Sequence, residues 1–120
     1  MNIVLTFCPR WEYRINCHTP FWVSLDTVDY IAGLLDDTGN RTLLIRADDN
    51  LELNLREIKR EYPGALVFWL NEFRPYDSGV DVFTVRDVEK VGMMFTGPCS
   101  ETLEMGLNKE STKTVFRRLC

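Results

Sequence analysis

Three features of the sequence predict an α/β fold, a three-layer α/β/α arrangement around a mainly four-stranded parallel sheet. First, short and nearly continuous apolar runs rich in β formers recur at residues 2–7, 65–70 and 93–95, as in strands buried on both faces. Second, the stretches between them carry apolar residues at helical spacing. Third, the last run passes through Thr96-Gly97-Pro98 into another helical segment. The resulting order, β-α-β-α-β-α-β-α-α, implies right-handed crossovers with helices on both faces of the sheet.

The first run, N-I-V-L-T-F, is expected to be the central strand. Residues 8–21 follow as a long aromatic segment bracketed by Pro9 and Pro20, which reads either as a binding loop or as packing over the sheet edge. No G-x-G-x-x-G follows this strand, which counts against a dinucleotide fold of the usual sort. Ser24 can cap a helix in which Leu25, Val28, Ile31, Ala32 and Leu35 recur at helical spacing until Asp36-Asp37-Thr38-Gly39-Asn40 ends it. Residues 42–45 are the second strand. Asp48-Asp49-Asn50 offers a cap for a helix that buries Leu51, Leu55, Ile58 and Tyr62 and stops at Pro63-Gly64. The third strand ends in Asn71-Glu72, polar groups at the edge where open α/β sheets bind ligands. After a loop, Val80, Phe83, Val88 and Val91 suggest a third helix opened near Ser78 or Asp81. The fourth strand turns at Gly97 into a helix opened by Ser100, a place where backbone N–H groups and a helix N-terminus face anions. A last helix carries Lys109 and Lys113.

At 120 residues, a single domain with one core is the default. The hydrophobic fraction of 45% and charged fraction of 27% fit a globular chain rather than a disordered or fibrous one. A net charge of −4 argues against a general nucleic-acid partner, because phosphate neutralisation needs a basic face. No apolar run reaches the roughly 20 residues of a membrane helix, and no basic region precedes the N-terminal apolar stretch, so a cytoplasmic chain is expected. Cys8, Cys17, Cys99 and Cys120 contain no C-x-x-C pair and read as reduced thiols, with Cys8 and Cys17 buried and inert. Cys8, Cys17 and His18 supply only one close pair where structural zinc usually takes two, and no metal site is assigned.

Two segments carry a resemblance. V-F-W-L-N-E-F at 67–73 is similar to the V-F-N-L-x-E-G of ATP-grasp ligases of the D-alanine-D-alanine ligase type. V-G-M-M-F-T-G-P-C-S, a helix and N-K-E-S-T-K at 91–113 resemble the later L-G-I-P-Y-T-G-S, helix, D-K-x-x-T-K of that family. The likeness implies a Rossmann-like, pre-ATP-grasp N-terminal domain over 1–120, whose last helix, about 109–120, leads toward an ATP-grasp domain supplied in cis or in trans. It implies that Lys109 reaches ATP phosphates and that Glu72 holds the ammonium of an amino-acid substrate. Glu12 stands near the place of the glutamate in the family's G-G-x-S-x-E segment, which is replaced here by Cys8-Pro9-Arg10-Trp11-Glu12. Trp69, Phe73 and Asn108 also depart from the family pattern, which has Asn, Gly and Asp there. ATP and Mg2+ belong to the complete enzyme; tight binding of either to this chain alone is not expected.

The expected function is therefore the substrate-side domain of an ATP-dependent carboxylate–amine ligase, acting on a small amino acid or carboxylate and inactive by itself. The alternative is a standalone, non-catalytic ligand-binding or interaction module of the same fold, for which a homodimer is compatible. A phosphoacceptor receiver domain is disfavoured, because Thr6-Phe7-Cys8 and Asn71-Glu72 stand where acidic residues are required.

Overall fold

The computed structural model describes residues 1–8, 24–71, 73–74 and 82–107. In chain order its elements are β1 (Asn2–Phe7), α1 (Leu25–Asp37), β2 (Arg41–Arg46), α2 (Leu51–Glu61), β3 (Leu66–Trp69), β4 (Phe73–Arg74), β5 (Val82–Phe83), α3 (Thr84–Val91), β6 (Met94–Phe95) and α4 (Ser100–Leu107). Four strands form an all-parallel sheet in the order β2-β1-β3-β6. The parallel α/β architecture expected from the alternation of elements is what the chain adopts.

β1 is central because it can be: from Ile3 to Phe7 every residue is buried. Only a strand apolar on both faces can be covered on both without stranding polar groups. Val4, and Cys8 just past the strand's end, belong to one core cluster with Ala47, Leu51 and Leu55, Val67, and Val88 and Val91. Leu51 and Leu55 come from α2, and Val88 and Val91 from α3, so those two helices lie side by side on one face of the sheet. Ile3, Leu5 and Phe7 alternate to the other face. α1 packs on β1 and β2 through the buried Val28, which lies outside that cluster, as a right-handed β1-α1-β2 crossover requires.

Local signals account for most element ends. Ser24 accepts a hydrogen bond from the Thr27 N–H and caps α1, as its side-chain chemistry predicts. In the last turn of α1, Asp36 Oδ1 accepts from both the backbone N–H and the hydroxyl of Thr42, fixing the entry into β2. α2 starts after Asn50, although its side chain makes no capping bond; Asp48 Oδ1 instead takes the Asn50 N–H. Gly92 ends α3 in the left-handed conformation that a Cβ disfavours. Lys59 of α2 donates to the Val91 carbonyl at 2.8 Å, joining the two helices at their carboxyl ends.

The third helix departs from expectation. It begins at Thr84, not near Ser78 or Asp81, because Val82 and Phe83 are extended and pair antiparallel with Phe73 and Arg74 in a two-stranded ribbon. The β-branched content of 82–85 gave no helical bias, and pairing with β4 decides the first two of those residues for strand. The last helix, expected to carry Lys109 and Lys113, lies outside the described residues.

Candidate functional site at the carboxyl edge of the sheet

The chain leaves β2 on one side of β1 and re-enters the sheet as β3 on the other, so the carboxyl ends of β1 and β3 diverge at a topological switch point. The backbone ladder runs past the strands here: Ala47 N–H donates to the Phe7 carbonyl at 2.7 Å and Leu70 N–H to the Thr6 carbonyl at 2.9 Å. With those backbone groups satisfied, what the edge can offer a ligand is set by side chains.

Four polar side chains are buried among the described residues: Thr6, Asn71, Thr84 and Asp87. Thr6 is near the end of β1, Asn71 just beyond β3, and Thr84 and Asp87 in the first turn of α3. Thr84 and Asp87 share the helix face of Val88 and Val91, which faces the sheet. Thr6 shares the face of Val4 and Cys8, against which α3 packs. The polar interior of the molecule is thus gathered at one end, beneath the N-terminus of α3, where Phe83 at the N-cap supplies no side-chain oxygen.

Within this cluster the Thr6 and Thr84 hydroxyls and the Trp69 Nε1–H have no hydrogen-bond partner among the described residues. Thr6 and Trp69 are register partners on neighbouring strands and so lie side by side on one face. Leaving such a group unmade costs about 1–3 kcal/mol, a cost that a bound water or a small polar ligand accepting from the indole would relieve. Its side chains offer two hydroxyls, an indole N–H, the Asn71 amide and the Asp87 carboxylate.

The second wall is the turn after β6. Gly97 has φ 99°, and a Cβ built there would stand 2.8 Å from Trp69 Cζ2, so the glycine is required both by its backbone and by the indole lying over it. Cys99 then caps α4, its carbonyl accepting the first helical bond from Leu103. Its Sγ lies 3.3 Å from the Thr102 hydroxyl, and that contact, with the Thr102 and Glu101 backbone N–H groups, holds the thiol below its ordinary pKa. Cys8 is buried, as expected, whereas Cys99 is only partly buried.

Of the residues singled out from sequence, Glu12, Glu72, Lys109 and Lys113 lie outside the described residues, as do Cys17 and His18. No group of three or more potential metal ligands comes together among the described residues. Thr6, Thr84 and Asp87 escaped sequence reasoning. A threonine inside an otherwise apolar strand was the one signal available for Thr6.

A second concavity of about 520 Å³ lies at the opposite edge, lined by Arg56, Lys59, Arg60, Pro63 and Val91. Arg56 is paired with Glu52, and Lys59 caps the carboxyl end of α3. Cations at the carboxyl ends of two helices compensate their dipoles, and an anion placed there would oppose both.

The fold and this edge define an open-sheet α/β domain with a polar cluster at its switch point. Compared with known proteins, the chain matches no family model, no curated protein and no solved structure. No helix among the described residues is long and apolar enough to cross a membrane.

Proposed function

We propose that the chain is the Rossmann-like, substrate-side domain of an ATP-dependent carboxylate–amine ligase of the ATP-grasp type, working in the cytoplasm. The observation that carries the reading is the gathering of the buried polar side chains at the carboxyl ends of β1 and β3 and the first turn of α3. Glu72 follows Asn71 directly in the sequence. In this reading Glu72 holds the substrate ammonium through a charge-assisted hydrogen bond, Glu12 contributes a second carboxylate, and Lys109 meets the phosphates of ATP. The nucleotide and its Mg2+ are held by an ATP-grasp domain in cis or in trans, where a carboxylate is activated for attack by an amine.

The test is ATP turnover by this chain combined with an ATP-grasp polypeptide, with candidate carboxylates and amines supplied together. Turnover that needs both polypeptides, and that Lys109→Ala lowers by about tenfold or more, supports the reading. Tight Mg-ATP binding by the chain alone in calorimetry, or turnover indifferent to Lys109→Ala, refutes it.

One observation favours a second reading, a non-catalytic binding module. The Trp69 indole packs over Gly97 at the position where the resembling family carries a small polar Asn, filling the edge with apolar surface. Under that reading Lys109→Ala leaves function untouched, whereas truncating Trp69 abolishes it.

A further inference from the structure

The outward side of α1 breaks several local rules of helix design at once, and all the breaks fall on one stripe. With 3.6 residues per turn, Asp26, Tyr30, Gly33, Leu34 and Asp37 share the side opposite the buried Val28. Tyr30 is 68% exposed and Leu34 49%, two large apolar side chains one turn apart facing solvent. Between them Gly33 sits in mid-helix, where glycine is unfavourable, and a Cβ there would meet nothing within 4 Å. No close approach among the described residues explains it. Asp37 stands in the last turn, against the helix dipole, with no basic residue there to offset it. Its neighbour Asp36 is at least bound to Thr42; Asp37 is exposed. Features that cost local stability without an internal return mark surfaces kept for another purpose.

We infer that this stripe is a docking surface for a helix of another protein, one that carries lysine or arginine on either side of a short apolar centre. The charge pattern selects that occupant. α1 holds Asp26, Asp29, Asp36 and Asp37 and no basic residue. Its stripe has an apolar centre with a carboxylate at each end. A two-fold pairing of α1 with a second copy of itself would set Asp26 against Asp37 twice, acid against acid. A basic, apolar, basic helix meets both features, and Gly33 lets its backbone approach closely. This surface is independent of the carboxyl-edge site and of the function proposed for it.

The probe is a stapled, fluorescein-labelled peptide helix as long as α1, with alanine and leucine on its central face and lysines in its first and last turns, titrated against the full chain by anisotropy. Saturable binding is expected, weakening as salt is raised. Tyr30→Ala, and the Asp26→Asn/Asp37→Asn pair, should each raise Kd by about tenfold or more. Gly33→Ala should also weaken binding although it melts higher. Glu57→Gln/Glu61→Gln, which removes equal charge from the exposed surface of α2, should leave Kd unchanged. The inference is overturned by absence of saturable binding at about millimolar chain, or by equal loss in the α2 control. It is likewise overturned if the chain alone sediments as a dimer that Tyr30→Ala dissociates, which would assign the stripe to a second copy.

Discussion

Replacing Gly33 by alanine should stabilise the protein, and the size of the gain follows from the geometry of α1. A helix-interior glycine costs about 0.8–1.0 kcal/mol relative to alanine, from the backbone entropy it loses on folding. At Gly33 nothing subtracts from this, because the backbone is not left-handed and the space around the new methyl is open. For a domain of 120 residues a gain near 1 kcal/mol raises the melting temperature by about 4 °C. The same substitution at Gly92 should have the opposite sign. There φ is 73° and a Cβ would lie 3.3 Å from Lys59 Nζ, so left-handed strain of about 1–2 kcal/mol is added to disturbance of the bond from Lys59 to the Val91 carbonyl. Thermal and urea unfolding followed by far-ultraviolet circular dichroism measure both variants against the parent. Two changes of the same sign, or a loss at Gly33, would refute the argument by showing that the outward side of α1 is covered in the free chain.

Three further outcomes test other parts of the structure. Gly97→Ala should destabilise by about 2 kcal/mol or more, from positive-φ strain and displacement of the indole; with Trp11 and Trp22 changed to phenylalanine, the emission of Trp69 should shift, and an unchanged spectrum would refute the contact. Leu55→Ala, at a fully buried position in the cluster between α2 and the sheet, should cost about 2–5 kcal/mol in urea unfolding, and a loss within 0.5 kcal/mol or so would refute that packing. Cys99 should be alkylated with a pH midpoint below that of an ordinary thiol: the hydrogen bonds from Thr102 stabilise the thiolate, so the reactive form persists to lower pH and fades as pH falls through the lowered pKa. Thr102→Val should move that midpoint upward, measured with Cys17 and Cys120 changed to serine, and an unmoved midpoint would refute the role of the hydroxyl.

The sheet was legible where hydrophobic patterning is strongest. β1 reads from sequence with the same boundaries it has in the structure, because a strand buried on both faces needs an unbroken apolar run. Ser24, Pro63-Gly64 and Gly97 likewise announce their turns through side-chain or backbone chemistry that is local. The β4–β5 ribbon was not legible, since strands of two residues are too short to show alternation and their pairing is a tertiary choice. The polar cluster was legible at one residue: Asn71 is marked by its place at the end of β3, whereas the importance of Thr84 and Asp87 comes from α3 starting later than its sequence suggests. A helix begun near Ser78 would have placed both in its interior; begun at Thr84, it brings them to the carboxyl edge.

The central position of β1 also has a cost during synthesis. Asn2 finds its neighbour only at Arg41, and Ile3 its other neighbour only at Leu66. At about 5–20 residues per second, the strand most prone to stick emerges several seconds ahead of either flank. No hairpin can shield it meanwhile, since parallel neighbours are reached only through a crossover. Its aggregation hazard is therefore highest before Leu66 has emerged, a stage at which a holdase would matter more than anything that acts on the finished domain.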